Sequence, residues 1–209
     1  SSISWDDPNF PNIEGFGVWA AKCNFTMGPD GKMYSRMLGG NLVRIDVENA
    51  RGENLTNGDL VGTKDGSAYG LVFDPQDENV FYFSNNDKHC IYKYDLRTKE
   101  CACWAGQEGK SGYLDGPIGQ AMFNKPGQMC VDSEGNIILT DTENHCIRKI
   151  TMSTGYVSTL AGKPQNSGYV NGSAEDAQFK KPLGICIDND DVMYIGDSEN
   201  RAIRRLAVE

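Results

Sequence analysis

Two phrases that recur in register predict an all-β fold, a β-propeller built of four-stranded antiparallel blades. The run Phe123–Asp132 returns as Phe179–Asp188, and the run Asp141–Arg148 returns as Asp197–Arg204, each 56 residues further along. Within each copy, turn residues separate short apolar segments, and no segment keeps a helical apolar period over about ten residues. A unit of four short strands that recurs about every 40 to 60 residues is typical of propeller blades.

The third copy is the clearest and defines the pattern for the others. Its first strand is nearly all apolar, as expected for an innermost strand covered on both faces, and its third strand alternates apolar and polar residues. Ser-Glu-Gly, Thr-Glu-Asn-His and Met-Ser-Thr-Gly separate the strands and are turn sequences. The predicted strands are Gly127–Asp132, Asn136–Asp141, Cys146–Thr151 and Tyr156–Gly162.

Two further copies precede this one. In the first, which is degraded, strand candidate Val18–Met27 is followed by the turn Gly28–Gly31 and by strands Lys32–Ser35 and Leu42–Asp46. The second is stronger, with strands Tyr69–Asp74, Val80–Ser84, Cys90–Asp95 and Glu100–Gly106. We therefore expect an extended lead-in over residues 1–16 and blades over about 17–58, 66–106, 122–162 and 178–209.

The fourth copy stops after its third strand, and long connections separate the last three copies. Residues 107–122 and 163–178 share the phrase Ser-Gly-Tyr-x-(Asp/Asn)-Gly. A repeated phrase in a long connection predicts a structured segment and argues against a disordered linker.

Four successive motifs resemble the NHL repeat. They are Phe-x-x-Pro-x-Gly, then Gly-Asn with three apolar residues and x-Asp, then Asn-x-x-Ile-Arg-Lys-Ile, and then Val-x-Thr-Leu-Ala-Gly. The likeness is nearly complete over residues 123–162, extends over 179–205 with Leu183-Gly184 in place of Gly127-Gln128, is good over 69–106 and is weak over 17–58. The connections also resemble those of bacterial cell-surface proteins that join an IPT/TIG module to an NHL propeller. This resemblance implies a ring of six blades, four of them visible here, and an extracytoplasmic location. The alternative is a ring that closes with four blades, Ile3–Trp5 supplying the missing strand.

The charge balance disfavours nucleic acid as a partner. The 209 residues carry a net charge of −9 and have a pI of about 4.8, and no run of Lys or Arg offsets this locally. RNA binding, which the resemblance to some animal NHL proteins raises as a third possibility, is disfavoured for the same reason. No apolar run approaches the length of about 20 residues that crosses a bilayer, so we expect no membrane insertion by this segment.

The cysteines occupy repeated positions, which favours a packing role. Cys90 matches Cys146, and Cys130 matches Cys186, so we expect these four to be buried thiols that act as small apolar side chains. Cys101 and Cys103 would share one face of a strand, but no second Cys/His pair at metal-site spacing accompanies them. We predict no metal site and no cofactor.

Candidate binding residues lie where the turns between second and third strands and the long connections are expected to share one face. The aromatic candidates can stack on sugars or anchor a protein, and the two lysines can meet an anionic or hydroxyl-rich ligand. The alternatives are structural: Asp and Asn can cap their own turns, the tyrosines can pin the connections, and the lysines can offset nearby acids. The candidates are Tyr113, Lys125, Asp141, His145, Tyr169, Lys181, Asp197 and Arg201.

The sequence gives no positive signal for catalysis. His89 and His145, the two histidines, are repeat equivalents, and the chain lacks a Gly-rich phosphate loop, a serine nucleophile elbow and a His-Glu-x-x-His motif. The residues Asp188-Asn189-Asp190-Asp191 replace a hairpin turn of the third copy and lack the spacing of a calcium loop. We expect a non-catalytic propeller that presents one loop face to a protein or glycan. The alternative is a metal-dependent hydrolase or lyase with its site in the central channel.

Overall fold

The computed structural model describes residues 25–36, 41–49, 51–56 and 69–207, and it has the propeller architecture that the repeats predict. Within these residues, four separate antiparallel sheets follow one another along the chain, and in each the blade strands pair in sequential order. The predicted lead-in, residues 1–16, and the proposed closing strand Ile3–Trp5 lie outside the described residues.

Blade 1 contains β1 (Thr26–Met27), β2 (Met33–Arg36), β3 (Leu42–Asp46) and β4 (Arg51–Asn54). Blade 2 contains β5 (Leu71–Phe73), β6 (Val80–Asn85), β7 (Cys90–Asp95) and β8 (Cys101–Gly106). Blade 3 contains β10 (Pro126–Val131), β11 (Ile137–Asp141), β12 (Cys146–Thr151) and β13 (Tyr156–Ala161), and β9 (Gly116–Pro117) pairs with the outer edge of β13. Blade 4 contains β14 (Pro182–Ile187), β15 (Met193–Asp197) and β16 (Ala202–Leu206).

Apolar side chains between neighbouring blades form the core. One cluster joins blades 2 and 3 through residues such as Val80, Ile91 and Leu139, and another joins blades 3 and 4 through residues such as Ile147 and Ile195. Aromatic residues fill the space between blades 1 and 2, where the rings of Tyr34, Phe73, Phe81 and Phe83 meet at centroid distances of 4.8 to 6.5 Å. Blades 2 and 3 each lie between two neighbours, so the alternating side chains of their strands serve two interfaces.

The innermost strands β1, β5, β10 and β14 lie around one cavity of about 940 Å³, lined by residues such as Met27, Val72, Met129 and Ile187. The chain enters each blade at one end of the inner strand, and this end carries the turns between second and third strands. We call it the linker face; in blades 3 and 4 these turns are the 3-10 segments Thr142–Asn144 and Ser198–Asn200. The opposite end carries the hairpin turns and is called the hairpin face.

The backbone requires a glycine at the end of the last strand of blade 2 and directly after the last strand of blade 3. Gly106 and Gly162 have φ angles of +92° and +95°, a backbone conformation that residues with a Cβ rarely adopt. A Cβ on either residue would lie 2.9 Å from the ring of Phe123 or Phe179, the first residue of the next repeat. The two ends of the repeat motif thus pack on each other, which explains their constant spacing.

One prediction about the cysteines is wrong. Cys90 and Cys146 are fully buried and Cys130 is partly buried, but Cys186 is exposed. Cys130 and Cys186 occupy the same register, opposite Ile138 and Tyr194. Burial differs because blade 4 packs against Cys130, whereas among the described residues no blade covers the outer face of blade 4.

Candidate functional site

A buried arginine on β12 holds the connection that precedes its blade. Arg148 is fully buried, and its guanidinium donates to the carbonyl oxygens of Leu114 (2.9 Å) and Met122 (3.1 Å). It also forms ion pairs with Asp115 (2.6 Å) and Asp141 (2.7 Å). A buried charge needs partners of this kind. The cluster of Arg148, Asp115 and Asp141, which we call the blade-3 latch, therefore fixes the course of the connection.

Blade 4 has the same arrangement with one change. Arg204 donates to the carbonyl oxygens of Val170 (2.7 Å) and Gln178 (3.0 Å) and pairs with buried Asp197 (3.0 Å). Its remaining partner is the side-chain oxygen of Asn171, at 2.7 Å, where blade 3 has a carboxylate. The blade-4 latch, Arg204 with Asn171 and Asp197, thus has one ion pair where the blade-3 latch has two.

The aspartates of the latches do not cap their own turns. Asp141 Oδ1 accepts the backbone N–H of Asn124 (2.8 Å), and Oδ2 accepts the side-chain amide of Asn144 (2.8 Å), which also donates to the carbonyl of Gly112 (2.8 Å). The turn that follows Asp141 has no side-chain cap. Burial raises the pKa of Asp141 to about 6, against the lowering effects of Arg148, Asn144 and the Asn124 N–H. The predicted turn cap is therefore wrong in its detail, because Asp141 accepts a backbone N–H from Asn124 in another segment and, within its own turn, only the side-chain amide of Asn144. Equivalent bonds link Asp197 to Lys180 and Asn200, and Asn200 to Gly168.

The repeated tyrosines lie against the latch arginines. The Arg148 guanidinium is 4.9 Å from the ring centroid of Tyr113, and that of Arg204 is 5.0 Å from the ring centroid of Tyr169. The Tyr113 hydroxyl also lies 2.7 Å from Thr159 Oγ1 on β13, so this ring is held to its blade. Tyr169 remains 61% exposed. Stacking on an arginine leaves the other face of such a ring free to meet a ligand.

The histidines connect neighbouring blades. The backbone N–H of Lys125 donates to Nδ1 of His89 (3.1 Å), and that of Lys181 donates to Nδ1 of His145 (3.2 Å). His89, His145 and the equivalent Arg201 have left-handed φ angles of 57°, 58° and 54°. Burial, followed by the nearby Lys125 charge, lowers the pKa of His89, which favours the neutral ring that this bond requires. The turn position of each blade therefore contacts the first turn of the next one.

The two lysines at the entrance of the inner strands differ in their pairing. Lys181 forms ion pairs with Glu199 (3.0 Å) and Glu143 (3.4 Å), which raise its pKa. Lys125 is exposed and has no ion pair within 4.0 Å among the residues that the structure describes. Its ammonium is the more available of the two for a ligand.

A surface groove of about 410 Å³ lies on the linker face between β13 and the following connection. Tyr113 and Thr159 form one part of its wall, and the polar side chains of Lys163, Asn166 and Glu175 form the other. All three polar side chains belong to exposed residues. An aromatic ring beside a few polar groups, in a concavity of this size, is an arrangement suited to a small ligand.

The structure separates the candidate binding residues into two groups. Asp141 and Asp197 are fully buried in the latches, so a partner cannot reach their carboxylates on the folded surface. The others reach the surface at least in part, and His145 and Lys181 are in contact through a backbone bond. The surface group is Tyr113, Lys125, His145, Tyr169, Lys181 and Arg201.

The latch arginines were missed from the sequence although a signal was present. Arg148 and Arg204 each follow the repeated aspartate by seven residues, and Asp115 matches Asn171 in the repeated phrase of the connections. An arginine repeated in a strand that otherwise faces a core indicates a buried, paired charge.

Two further observations bear on function. Within the described parts of the chain, no three His, Cys, Asp or Glu side chains lie close enough together to hold a metal ion. In the same residues, no helix has the length and apolar character needed to cross a membrane.

Comparisons with known proteins agree with this architecture. The profile of the NHL repeat matches residues 123–150. NHL repeat-containing protein 2 of Gallus gallus is 30% identical over 152 residues, which is 72% of this chain and 19% of that protein. This chain therefore spans under a fifth of the length of that relative.

Solved structures extend the likeness to the whole fold. A Bacteroides thetaiotaomicron protein of unknown function superposes with a TM-score of 0.81 at 28% identity, covering 88% of this chain and 46% of that one. An auxiliary nutrient binding protein of the same organism has a TM-score of 0.73 at 28% identity, covering 87% of this chain and 46% of that one. Lyase and gluconolactonase propellers also match, at 13 to 16% identity, where the likeness shows the fold alone. With its four blades, its repeat motifs and these relatives, the chain belongs to the NHL-repeat family of β-propellers.

Proposed function

We propose that this chain belongs to a non-catalytic binding propeller that presents its linker face to a protein or glycan partner. The observation that carries this proposal is the groove of about 410 Å³ beside Tyr113, where an aromatic ring and three exposed polar side chains converge. Aromatic rings stack on the apolar faces of sugars, and amide, ammonium and carboxylate groups bond their hydroxyls. A hydroxyl-rich ligand is therefore the chemistry that fits the groove best.

The scaffold below the groove supports a binding role because its polar groups are already paired. Tyr113 is fixed between Arg148 and Thr159, so its ring needs little reorganisation when a ligand arrives. A preorganised site loses less conformational entropy on binding than a mobile one. The exposed side chains Lys163, Asn166 and Glu175 belong to the following connection, which the blade-4 latch holds in place.

The neighbouring structures support the same proposal at a coarser level. One of them is named an auxiliary nutrient binding protein, and it shares 28% identity with this chain. We therefore propose a location at the cell surface or in the periplasm, where a nutrient-binding protein would meet its ligand.

We also propose that the four blades form part of a six-bladed ring. The face of blade 4 that points away from blade 3 exposes Ile203 (75%) and Tyr194 (39%), whereas Ile147 and Ile138 at the same positions of blade 3 are fully buried. An apolar blade face of this kind is normally covered by another blade. The matching solved structures are about twice as long as this chain, which leaves room for two more blades.

Binding to an oligosaccharide array, followed by titration calorimetry, tests the groove. The variant Lys163→Ala/Glu175→Ala removes two polar groups of the groove, and Lys99→Ala/Glu134→Ala removes the same residue types from the hairpin face. We expect the first variant to lose binding by about tenfold or more, as expected when hydrogen bonds to charged groups are lost, and the second to bind like the unchanged protein. Equal binding by both variants contradicts the proposed groove.

The enzyme alternative requires a metal in the channel, and it is tested separately. A channel metal would stabilise the fold through linkage, so a chelator would lower the melting midpoint. We expect the midpoint to stay constant and elemental analysis to find no stoichiometric metal. A chelator-dependent fall in the midpoint would favour the hydrolase or lyase.

A further inference from the structure

Two thiols on neighbouring strands of blade 2 lie beside each other. Cys90 on β7 is paired with Gly106 on β8, and Tyr92 is paired with Cys103, with a bulge at Trp104 between the two pairs. The register places Cys90 and Cys103 at diagonal positions on the same face of two neighbouring strands, and both belong to the cluster between blades 1 and 2. Cys103 Sγ donates at 3.7 Å to the carbonyl oxygen of Gly106, the residue that is paired with Cys90.

The two thiols are neighbours and differ in environment. Cys90 is fully buried, and Cys103 is half-buried. The neighbouring Cys103 thiol and burial raise the pKa of Cys90. The neighbouring Cys90 thiol lowers the pKa of Cys103, although burial opposes the change. An accessible thiol with a lowered pKa next to a buried one matches the arrangement of an attacking and a resolving cysteine.

The fold itself does not require thiols at these positions. The residue equivalent to Cys90 is Cys146 in blade 3 but Ala202 in blade 4, and the residue equivalent to Cys103 in blade 3 is Thr159. Only blade 2, among the residues that the structure describes, has cysteine at both positions. The pair is therefore a local property of this blade and has no counterpart in the repeated scaffold.

We infer that Cys90 and Cys103 form a reversible disulfide when the protein meets a peroxide. The Cys103 thiolate attacks one oxygen of hydrogen peroxide, the O–O bond breaks, and hydroxide leaves, so that Cys103 becomes a sulfenic acid. Cys90 then attacks the Cys103 sulfur, the S–O bond breaks, and the Cys90 proton leaves with the oxygen as water. The two thiols together lose two electrons to the peroxide, and a dithiol reductant restores them.

The disulfide would join the last two strands of blade 2 close to the linker face. Gly106 ends β8, and the connection that contains Tyr113 begins immediately after it. A covalent bond between β7 and β8 would therefore fix the start of that connection. We expect a higher melting midpoint for the oxidised protein, because a cross-link restricts the unfolded chain.

Peptide mapping of the full chain tests this inference. Reduced protein is treated with hydrogen peroxide, free thiols are alkylated, and the digest is analysed by mass spectrometry without reduction. We expect a cross-linked peptide that joins Cys90 to Cys103 and disappears with dithiothreitol. Cys101, on the same strand opposite Tyr94, is the internal control and should remain alkylated.

Variants taken from the other blades separate the two steps. The variant Cys90→Ala introduces the residue that blade 4 has at this position, and in it the sulfenic acid on Cys103 should persist and be trapped by dimedone. The variant Cys103→Thr introduces the residue that blade 3 has at this position, and in it Cys90 should resist oxidation. The inference is overturned if Cys103 joins Cys101 or Cys23 instead, if Cys103 is oxidised no faster than Cys130, or if dimedone labels Cys90→Ala no more than the unchanged protein.

Discussion

Replacing Arg148 by methionine should remove a large part of the stability of the fold. Methionine keeps the aliphatic stem and leaves little cavity, so the change isolates the guanidinium. The lost interactions are two ion pairs and two bonds to carbonyl oxygens, all made by a fully buried side chain. Removing one partner of a buried pair costs about 3 to 5 kcal/mol, because the other charge stays buried without compensation. We therefore expect a fall of about 4 kcal/mol at pH 7, against a total of about 5 to 15 kcal/mol for a typical domain.

The matched control is Arg97→Met. Arg97 also forms two ion pairs, with Asp77 and Asp95 at 2.7 Å, but its side chain is 54% exposed. Exposed pairs contribute about 0 to 1 kcal/mol, so this variant should unfold close to the unchanged protein. Urea denaturation followed by circular dichroism measures both, and limited proteolysis should cut residues 107–122 faster in Arg148→Met alone. If the two variants lose the same small amount of stability, the latch does not hold the connection and our interpretation is wrong.

Three further predictions follow from comparisons within the chain. Asn171→Asp gives the blade-4 latch the second ion pair that the blade-3 latch has. Since residue 171 is exposed, the free energy of unfolding in urea should rise by up to about 1 kcal/mol. A loss of stability would show that Arg204 does not pair with the new carboxylate. The pKa of Asp141 is raised to about 6 in the folded protein and lies near 3.8 in the unfolded chain. The stability that protonated Asp141 adds to the folded state is therefore fully present below pH 3.8 and is lost as the pH rises through 6. Unfolding at several pH values should show higher stability at pH 5 than at pH 7, and Asp141→Asn should abolish that difference. Ile147→Ala should cost about 2 to 5 kcal/mol and Ile203→Ala within about 0.5 kcal/mol, because the first is buried and the second is 75% exposed; equal losses would mean that a further surface covers Ile203 in this chain.

The strands could be predicted closely because turn residues bracket them. Blade 3 was expected to begin at Gly127 and its second strand to end at Asp141; the structure has Pro126–Val131 and Ile137–Asp141. The short pairing of Gly116–Pro117 with β13 was not predicted, since two residues of a connection carry no period that indicates a strand.

The partners of the latch arginines and the exposure of Cys186 could not be derived in the same way. The three members of the blade-3 latch come from a connection and two strands, and their local sequence allows a turn cap as readily as a long-range ion pair. Burial of a repeated position depends on whether the next blade is present, and repeat equivalence alone does not report that. Sequence periodicity therefore defines the unit, whereas the contacts between units require coordinates.

The left-handed turn positions show how a repeated scaffold can still carry individual function. His89, His145 and Arg201 have nearly the same φ angle, so the backbone does not dictate their identity. Both histidines use a ring nitrogen to accept a backbone N–H from the next blade, at Lys125 and Lys181. A guanidinium has no acceptor, so Arg201 cannot make this bond to any blade that follows. Its exposed side chain is therefore not committed to holding a neighbour, and of these three positions we propose Arg201 as the one that meets a partner at the linker face.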